Sequence, residues 1–450
     1  MSWAGSAWQS FKLELPPMAR LAGPVVLAEL GWMSMGVVDT MMVGRVSPAA
    51  IGAVSIGGIL FYTVAVIGTG VLLGLDTLIS QAFGAGDIDD CHRSLLNSVY
   101  LCAPLSLGLM GIVWLFPRLL RSAGVDAEVL RDVTPFLRAI SWSTFPLLLY
   151  TAFRRYLQGM NRVKPVMYAL LSANLMNIAG DWIFVFGNLG APAMGAEGSG
   201  WSTCVSRIFM AAFLLVYILY HDRRYGTGLG RTSIKPDFGR MAKLIRLGGP
   251  AAMQIALEVG VFAVATTLIG RLGANVIAAH QIALNAASVT FMVPLGISAA
   301  AAVRVGQALG RGDRAAASRS GWTATLLGAA FMGCAAVIFL AAPEPIIRAY
   351  TADRNVLRVG VSLLAVAAAF QLFDGVQAVL TGALRGAGDT RTPMICHLLA
   401  YWGLGLPIGY YLCFRLNWGA VGLWTGLCAA IVVIGSVLLA IWFKLCEASD

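Results

Sequence analysis

Residues 81–87 read Gln-Ala-Phe-Gly-Ala-Gly-Asp, and residues 307–313 read Gln-Ala-Leu-Gly-Arg-Gly-Asp, at an offset of 226 positions. At this offset residues 23–87 and 249–313 align without a gap and are identical at 15 of 65 positions. The duplication therefore extends well beyond the two short stretches. A hydrophobic chain built from two such halves is typical of a membrane transporter rather than a scaffold or a membrane enzyme.

The composition is that of a polytopic membrane protein. Hydrophobic residues make up 58% of the 450 residues and charged residues only 12%, whereas a soluble chain carries about 25% charged residues. Twelve apolar stretches are long enough to cross a bilayer, at 18–43, 52–80, 95–117, 133–157, 165–187, 198–220, 246–270, 277–302, 319–342, 357–382, 393–414 and 419–444. Six spans in each half give both halves the same orientation, so we predict an all-α protein of twelve transmembrane helices in two parallel six-helix lobes.

The positive charges indicate the orientation and the lobe boundaries. With both termini in the cytoplasm, most Lys and Arg fall in inner segments, as the positive-inside rule requires. The segment between the halves carries Arg223, Arg224, Arg231, Lys235, Arg240, Lys243 and Arg246. We predict an N-terminal lobe at 1–220, a cytoplasmic linker at 221–245 and a C-terminal lobe at 246–450. The net charge of +10 thus reflects topology, and no basic soluble segment with interleaved aromatic residues favours a nucleic-acid partner.

Acidic residues inside the spans are the candidates for function. A carboxylate at the centre of a membrane helix costs about 2.5–3.5 kcal/mol on insertion scales, so each needs a reason to be there. The acids are Glu29, Asp39, Asp76, Asp181, Glu258 and Asp374. The alternative is that an acid pairs with a buried arginine such as Arg207. That structural explanation suits Asp76 best, and for Glu29 both readings stay open.

Helical spacing places most of these acids in polar or aromatic stripes. Residues three, four or seven positions apart share one side of a helix. The stripes are Trp32, Met35 and Asp39 in span 1; Asn174, Asn177 and Asp181 in span 5; Glu258 and Phe262 in span 7; Gln281 and Asn285 in span 8; and Phe370, Asp374 and Gln377 in span 10. Because polar stripes cannot face lipid unsatisfied, we expect them to face a cavity or one another.

The depths of three side chains predict a site in the N-terminal lobe. Asp39, Asp181 and Thr203 lie at similar distances from the outer ends of their spans. Carboxylate, amide and hydroxyl oxygens together suit a small cation or a proton. Glu258 and Asp374 instead lie near the middle of their spans. The acids are not duplicated with the scaffold, which favours a functional role for them.

Other patterns admit two interpretations. The aromatic and Met residues of the stripes are suited to a cavity for planar cations, although for any single one of them packing or contact with lipid is the preferred explanation. The Gly-rich stretches at 81–87 and 307–313 lack the Lys-Ser/Thr of a phosphate loop, so we predict tight turns there. The four histidines and eight cysteines show no ligand spacing, which disfavours a metalloenzyme.

The chain resembles the MATE family of multidrug and toxic-compound extrusion transporters, most closely its NorM-like bacterial branch. The resemblance extends over essentially the whole chain in order and spacing. It is carried by Gly23-Pro24, Val38-Asp39-Thr40-Met41-Met42-Val43-Gly44, Gln81 to Gly86, Leu157-Gln158-Gly159, the Asn177–Asp181 pair, Gly249-Pro250 leading to Glu258, Ala278-Ala279-His280-Gln281 and the run from Gly382 to Pro393.

The resemblance implies secondary active efflux of organic cations in exchange for Na⁺ or H⁺, by alternating access of a cleft between two lobes. It implies a cation- or proton-coupling role for Asp39, Asn177, Asp181, Thr203, Glu258 and Asp374. Na⁺ would bind at Asp39, Asn177 and Asp181 or at Glu258 and Asp374. The expected substrate cleft comprises Trp32, Met35, Phe262, Gln281, Asn285, Phe370 and Gln377. We expect a monomer in the bacterial inner membrane, surrounded by lipid, with no enzymatic activity and no cofactor besides the coupling ion.

The closest alternative is a flippase for a lipid-linked saccharide precursor, from the same broader superfamily. Such a protein is expected to have a more cationic cleft for phosphate groups, whereas the central spans here contain acids. An intramembrane enzyme or a channel is less consistent with the sequence, since neither a nucleophile–base set nor a pore loop is visible.

Overall fold

Helices account for nearly all of the chain. In a computed structural model, which describes residues 3–122 and 127–447, no β-strand occurs within those two ranges. The first six predicted spans correspond to α1 (Trp3–Val43), α2 (Pro48–Val71) with α3 (Gly74–Gly84), α4 (Ile88–Ser122), α5 (Ala127–Ser141) with α6 (Thr144–Gly159), α7 (Lys164–Phe184) and α8 (Ala196–Tyr225). All six spans predicted in this half therefore lie on helices.

The second half follows the same order. Its helices are α9 (Phe238–Gly270), α10 (Ala274–Gly310), α11 (Arg314–Ala341), the short α12 (Pro343–Arg348), α13 (Arg354–Ala387), α14 (Arg391–His397), α15 (Leu406–Tyr410) and α16 (Gly419–Glu447). π-helical turns at Leu398–Gly405 and Tyr411–Arg415 join α14 and α15 into one segment. Within the described ranges, nine helical stretches are long and apolar enough to cross a membrane.

Two predicted spans are each broken into two helices. The span at 52–80 breaks between α2 and α3, and the span at 133–157 breaks between α5 and α6. The second break has a local cause, because the ring of Pro146 clashes with a helical carbonyl four residues earlier, at Trp142. A proline inside a span indicates a kink from the sequence alone, whereas the continuous hydrophobicity of 52–80 does not reveal its break.

Each of the two Gly-rich stretches ends one helix and leads into the next. In the first, Gly86 has φ +79° and the amide of Asp87 bonds to the carbonyl of Ala82 at 3.0 Å. In the second, Gly312 has φ +75° and the amide of Asp313 bonds to the carbonyl of Ala308 at 3.0 Å. This is the glycine-terminated helix end known as the Schellman motif. The tight-turn interpretation is therefore supported by the backbone of both copies.

By packing, the described helices form two units that exchange the beginnings of α1 and α9. One unit is Leu27–Ala252, and the other contains the residues up to Val26 together with those from Met253 onward. The first part of α1 thus packs with helices of the second repeat, and the first part of α9 packs with helices of the first. The predicted boundaries at 220 and 246 follow the repeats instead and stay a prediction.

An acidic side chain fixes the beginning of α1 in its unit. Glu14 accepts hydrogen bonds from Nε of Arg304 at 2.8 Å and from Nη2 at 2.5 Å. It also accepts one from the hydroxyl of Ser320 at 2.7 Å. The N-terminal part of α1 is therefore anchored on α10 and α11.

The beginning of α9 is anchored at the equivalent position with the opposite charge. Arg240 lies 226 positions after Glu14, and Ser94 lies 226 positions before Ser320. Arg240 donates to the hydroxyl of Ser94 at 2.9 Å and pairs with Asp90 at 2.6 Å. Both repeats therefore contain the anchoring contact and its serine. In the first contact the anchored helix, α1, carries the acid, and in the second the anchored helix, α9, carries the arginine.

Small residues make the helix crossings of both units close. A Cβ on Gly70 would lie 2.5 Å from the Cα of Ala252, and a Cβ on Gly296 would lie 2.5 Å from the Cγ2 of Val26. Gly296 and Ala252 are the repeat equivalents of Gly70 and Val26. Each unit therefore contains one copy of the same close crossing, which only a residue without a side chain permits.

We expect Gly248→Ala to destabilise the protein and Gly249→Ala to leave it stable. A Cβ on Gly248 would lie 1.7 Å from the carbonyl oxygen of Val71, whereas a Cβ on Gly249 meets nothing within 4 Å. Overpacking of this kind typically costs about 1–3 kcal/mol, while Gly→Ala in an open helix position gains about 0.5–1 kcal/mol. The thermal unfolding midpoint of the detergent-purified variants checks this. Equal midpoints for the two variants would contradict the crossing.

Candidate coupling site

Two of the six acids inside the predicted spans have arginine partners. Glu29 on α1 forms a buried ion pair with Arg154 on α6. Asp76 on α3 pairs with the adjacent Arg155 at 3.4 Å. The structural explanation offered for Asp76 is consistent with its pairing, and Glu29 proves to be paired in the same way. These two acids hold α6 against α1 and α3.

We expect Arg154→Met to destabilise the protein strongly, because it leaves Glu29 buried without its cation. Breaking a buried ion pair by removing one partner typically costs about 3–5 kcal/mol. The double variant Glu29→Leu with Arg154→Met removes both charges and should regain most of the stability and retain efflux. Thermal unfolding and dye efflux of both variants test this. A stable double variant without efflux would instead give Glu29 a transport role.

The structure brings the N-terminal candidates together on α1, α7 and α8. Thr203 donates its hydroxyl proton to Oδ2 of Asp39 at 3.1 Å. Asp39 also interacts with the side chains of Asp181 and Asn177. Ser202 binds Asn177 twice, because its hydroxyl accepts from Nδ2 at 3.2 Å and donates to the backbone carbonyl at 2.8 Å. The similar depths read from the sequence therefore correspond to one cluster, including Thr203.

The buried polar atoms of this cluster that lack a hydrogen-bond partner among the described residues are all acceptor oxygens. Within the described residues, Oδ1 of Asp39, Oδ1 of Asn177 and both carboxylate oxygens of Asp181 are buried without a hydrogen-bond donor. Buried acceptors left in this way are costly unless a proton or a cation satisfies them. Hard cations prefer oxygen ligands of this kind. The residues therefore fit a proton or Na⁺.

Arg207 lies near the cluster without neutralising it. Its guanidinium donates to the hydroxyl of Ser143 at 2.6 Å, and it exerts an electrostatic attraction on Asp39. In the part of the chain that the structure describes, it forms no ion pair with Asp39 or Asp181. The alternative in which Arg207 is the fixed partner of Asp181 is thus not favoured by the geometry.

The aromatic ring of Trp32 is engaged by residues of its own unit. Tyr150 stacks on it with ring centroids 6.4 Å apart and an angle of 6°. The guanidinium of Arg207 lies 5.6 Å from its centroid and 4.8 Å from that of Phe61. Met35, one turn further along α1, is buried. The expected contact of Trp32 with a substrate cation would therefore compete with an internal cation.

The C-terminal candidates form a second cluster, on α9, α13 and α14. Gln377 donates to Oδ1 of Asp374 at 3.1 Å, and Asp374 acts electrostatically on Glu258. Gln254 donates to Oε2 of Glu258 at 3.3 Å. The ring of His397 lies beside Gln254 and Glu258. Its Nε2 is 3.9 Å from Oε2 of Glu258.

The remaining cleft candidates are split between packed and exposed positions. Phe262 contacts Tyr401 edge to face at 6.2 Å, and the buried Phe370 packs on Trp424 at 6.0 Å. Gln281 and Asn285 are both exposed on α10. Exposed polar side chains on a membrane helix are available for contact with a ligand, so these two remain the most accessible of the group.

The sequence interpretation missed His397 and Gln254. Gln254 lies one turn before Glu258, a spacing that was visible in the sequence. His397 comes from a helix more than 130 positions away, and it was set aside because the histidines show no ligand spacing. In the described ranges, no group of three or more His, Cys, Asp or Glu side chains is placed to hold a metal ion.

Comparison with known proteins identifies the family. A family model described as MatE matches residues 24–183 and 250–411, one stretch in each repeat. The chain belongs to the MatE family. A probable multidrug resistance protein NorM from Mesorhizobium japonicum is 34% identical over 441 residues, covering 96% of this chain and 94% of the relative. The multidrug resistance protein NorM of Vibrio vulnificus is 33% identical, with 92% of each chain covered.

Solved structures show the same fold for this MatE-family chain. The crystal structure of the eukaryotic MATE transporter AtDTX14 superposes with a TM-score of 0.86 at 22% identity, covering 98% of both chains. A MATE transporter in its bent conformation superposes with a TM-score of 0.85 at 16% identity, again covering 98% of both. The predicted all-α, multi-pass MATE-like architecture is therefore confirmed.

Proposed function

We propose that this protein exports organic cations across the membrane in exchange for inward-moving Na⁺ or H⁺. The observation that carries the proposal is that four intramembrane acids have no Lys or Arg within ion-pair distance among the described residues, although Arg207 attracts Asp39 from further away. In the described part of the chain, no Lys or Arg forms an ion pair with Asp39, Asp181, Glu258 or Asp374, whereas Glu29 and Asp76 both have arginine partners.

A carboxylate in a low-dielectric region needs a counter-ion, and here that counter-ion must be mobile. An ionised cluster favours an organic cation, while a proton or Na⁺ neutralises the same oxygens and lowers the affinity for the organic cation. Antiport requires that the two ligands disfavour each other's binding. Alternating access then couples release of the organic cation to entry of the ion.

The proposed roles follow the two clusters. Asp39, Asn177, Asp181 and Thr203 form one coupling site, and Glu258 and Asp374 form the other. Substrate contacts come from Met35, Phe262, Gln281, Asn285, Phe370 and Gln377, with Trp32 next to them. The names of the NorM relatives, which describe multidrug resistance, support this substrate class.

The proposed setting is a bacterial inner membrane with both termini in the cytoplasm, as the distribution of Lys and Arg predicts. The protein works as a monomeric transporter rather than an enzyme, with no cofactor besides the coupling ion. Its repeats divide near residues 220 and 246.

Transport of ethidium in proteoliposomes tests the proposal, with proton and Na⁺ gradients imposed separately. We expect ethidium movement against its gradient under at least one ion gradient, and the effective gradient names the coupling ion. Ethidium that moves under neither gradient would contradict the proposal and would favour the flippase for a lipid-linked saccharide.

A further inference from the structure

The acid cluster of the second repeat contains a histidine to which the proposed function gives no role. His397 is completely buried and lies at the end of α14, where π-helical turns begin at Leu398. Such turns are common at functional sites, because they displace side chains from regular helical positions. Here the ring lies beside Glu258 at the point where α14 ends and these turns begin.

Hydrogen bonding fixes the tautomer of this ring. Nδ1 of His397 lies 2.7 Å from the carbonyl oxygen of Pro393. A carbonyl only accepts, so Nδ1 carries the proton. Nε2 lies 3.3 Å from the amide nitrogen of Gln254, which only donates. Nε2 is therefore unprotonated, its lone pair accepts the hydrogen bond from Gln254, and the imidazole is neutral in this arrangement.

One amide group thus bridges a base and an acid. The amide nitrogen of Gln254 donates to Nε2 of His397 and to Oε2 of Glu258, both at 3.3 Å. The two acceptors are 3.9 Å apart. A proton placed between Nε2 and Oε2 converts this contact into a charge-assisted hydrogen bond once the side chains close by about 1 Å.

The two clusters differ in the atoms that they offer to an ion. In the first repeat, the buried acceptors of Asp39, Asn177 and Asp181 are all oxygens. The C-terminal cluster also has one such oxygen, Oε1 of Gln377, but at Glu258 an N–H donor and an imidazole nitrogen lie next to the carboxylate. Na⁺ prefers oxygen ligands and is repelled by an N–H group, whereas a proton binds well to an imidazole nitrogen.

We propose that His397 is a second proton acceptor beside Glu258, so that the C-terminal cluster couples transport to protons rather than to Na⁺. This inference rests on the proposed antiport. A proton that enters the cluster is held between Oε2 of Glu258 and Nε2 of His397. It neutralises Glu258 towards an organic cation and leaves towards the cytoplasm when the cluster opens there.

Few other titratable groups face this pair. Glu258 comes from α9, Asp374 from α13, and Tyr401 lies one turn beyond His397 with ring centroids 5.6 Å apart. α16 also packs on α14 and carries no charged residue between positions 419 and 443. The proton is therefore shared mainly between Glu258 and His397, with Asp374 acting on Glu258.

The pH profile of proton-driven ethidium transport in proteoliposomes tests the inference. We expect His397→Gln to lower the rate by about 5- to 150-fold, the range of typical coupling free energies, and to shift its pH dependence between pH 5 and 8. The matched control is His280→Gln. His280 is equally buried, but its ring nitrogens bind Thr266 and Trp424, so this variant should keep the wild-type pH profile.

A folded His397→Gln protein with the wild-type pH profile would overturn the inference. A second measurement does not depend on that variant. In the double variant Asp39→Asn with Asp181→Asn, binding of tetraphenylphosphonium should weaken on acidification and stay unchanged when Na⁺ replaces K⁺. Weakening by Na⁺ there would assign Na⁺ to the C-terminal cluster. If the wild-type protein moved ethidium under neither gradient, the proposed antiport itself would be wrong.

Discussion

Asp374→Asn is expected to abolish coupled efflux while leaving the protein folded. Asparagine keeps the shape of the side chain and an oxygen that accepts from Gln377, so only the charge is lost. The expected fall in ethidium transport is about 5- to 150-fold, the range that coupling free energies usually span. Transport in proteoliposomes under the effective ion gradient measures it.

Asp132→Asn is the control for this experiment. It makes the same chemical change in α5, where Asp132 lies 3.6 Å from the exposed Arg131 and outside both clusters. We expect wild-type transport from this variant. Full efflux by Asp374→Asn would show that a neutral side chain suffices at this position and that the proposed role is wrong.

Asp181→Asn is expected to remove transport without lowering stability. Neither oxygen of Asp181 has a donor at hydrogen-bond geometry among the described residues, and the carboxylate lies beside that of Asp39 and the hydroxyl of Ser202. A buried acid in this position gives folding no net benefit, because its desolvation is not offset by a partner. Ethidium transport should fall by about 5- to 150-fold, while the thermal unfolding midpoint stays at or above that of wild type.

Asp76→Asn provides the contrast for Asp181. It removes the carboxylate that pairs with Arg155, so its unfolding midpoint should fall. If Asp181→Asn also loses stability in parallel with transport, Asp181 is a folding residue and the N-terminal cluster needs another explanation.

The sequence predicted the scaffold well, because its signals are local. The twelve apolar stretches all lie on helices, and the residues around Gly86 and Gly312 form the turns that the glycines indicated. The depth of Thr203 placed it beside Asp39, where the structure shows a hydrogen bond. Helical spacing and membrane depth together are enough to bring polar residues of different spans to one level.

Contacts between distant segments were harder to predict. Nothing in the sequence showed that Arg154 would pair with Glu29, although two consecutive arginines at the end of an apolar span were visible. Arg207 packs on Trp32 from a different helix, and the sequence does not indicate how these two helices lie against each other. His397 lies beside Glu258 although the two are more than 130 positions apart in the sequence, and hydrophobicity does not report this contact.

No local sequence pattern predicts that the first parts of α1 and α9 belong to the packing unit of the other repeat. Each helix reads as a single apolar span, although its first part packs with the other repeat. Glu14 and Arg240 become recognisable as equivalent anchors only when the repeat offset is combined with their contacts. Pseudo-symmetry of this kind is preserved in packing even where the residue charge has been reversed.

Equilibrium binding of labelled tetraphenylphosphonium to the purified protein tests the central claim most directly, namely that organic cation and coupling ion compete for the same acids. It is measured at constant ionic strength while K⁺ is replaced by Na⁺, and separately while the pH is lowered from 8 to 6. We predict that at least one change lowers the affinity by about tenfold, or about 1.4 kcal/mol. In the quadruple variant Asp39→Asn, Asp181→Asn, Glu258→Gln and Asp374→Asn, neither change should matter. An affinity in wild type that depends on neither ion would contradict the account.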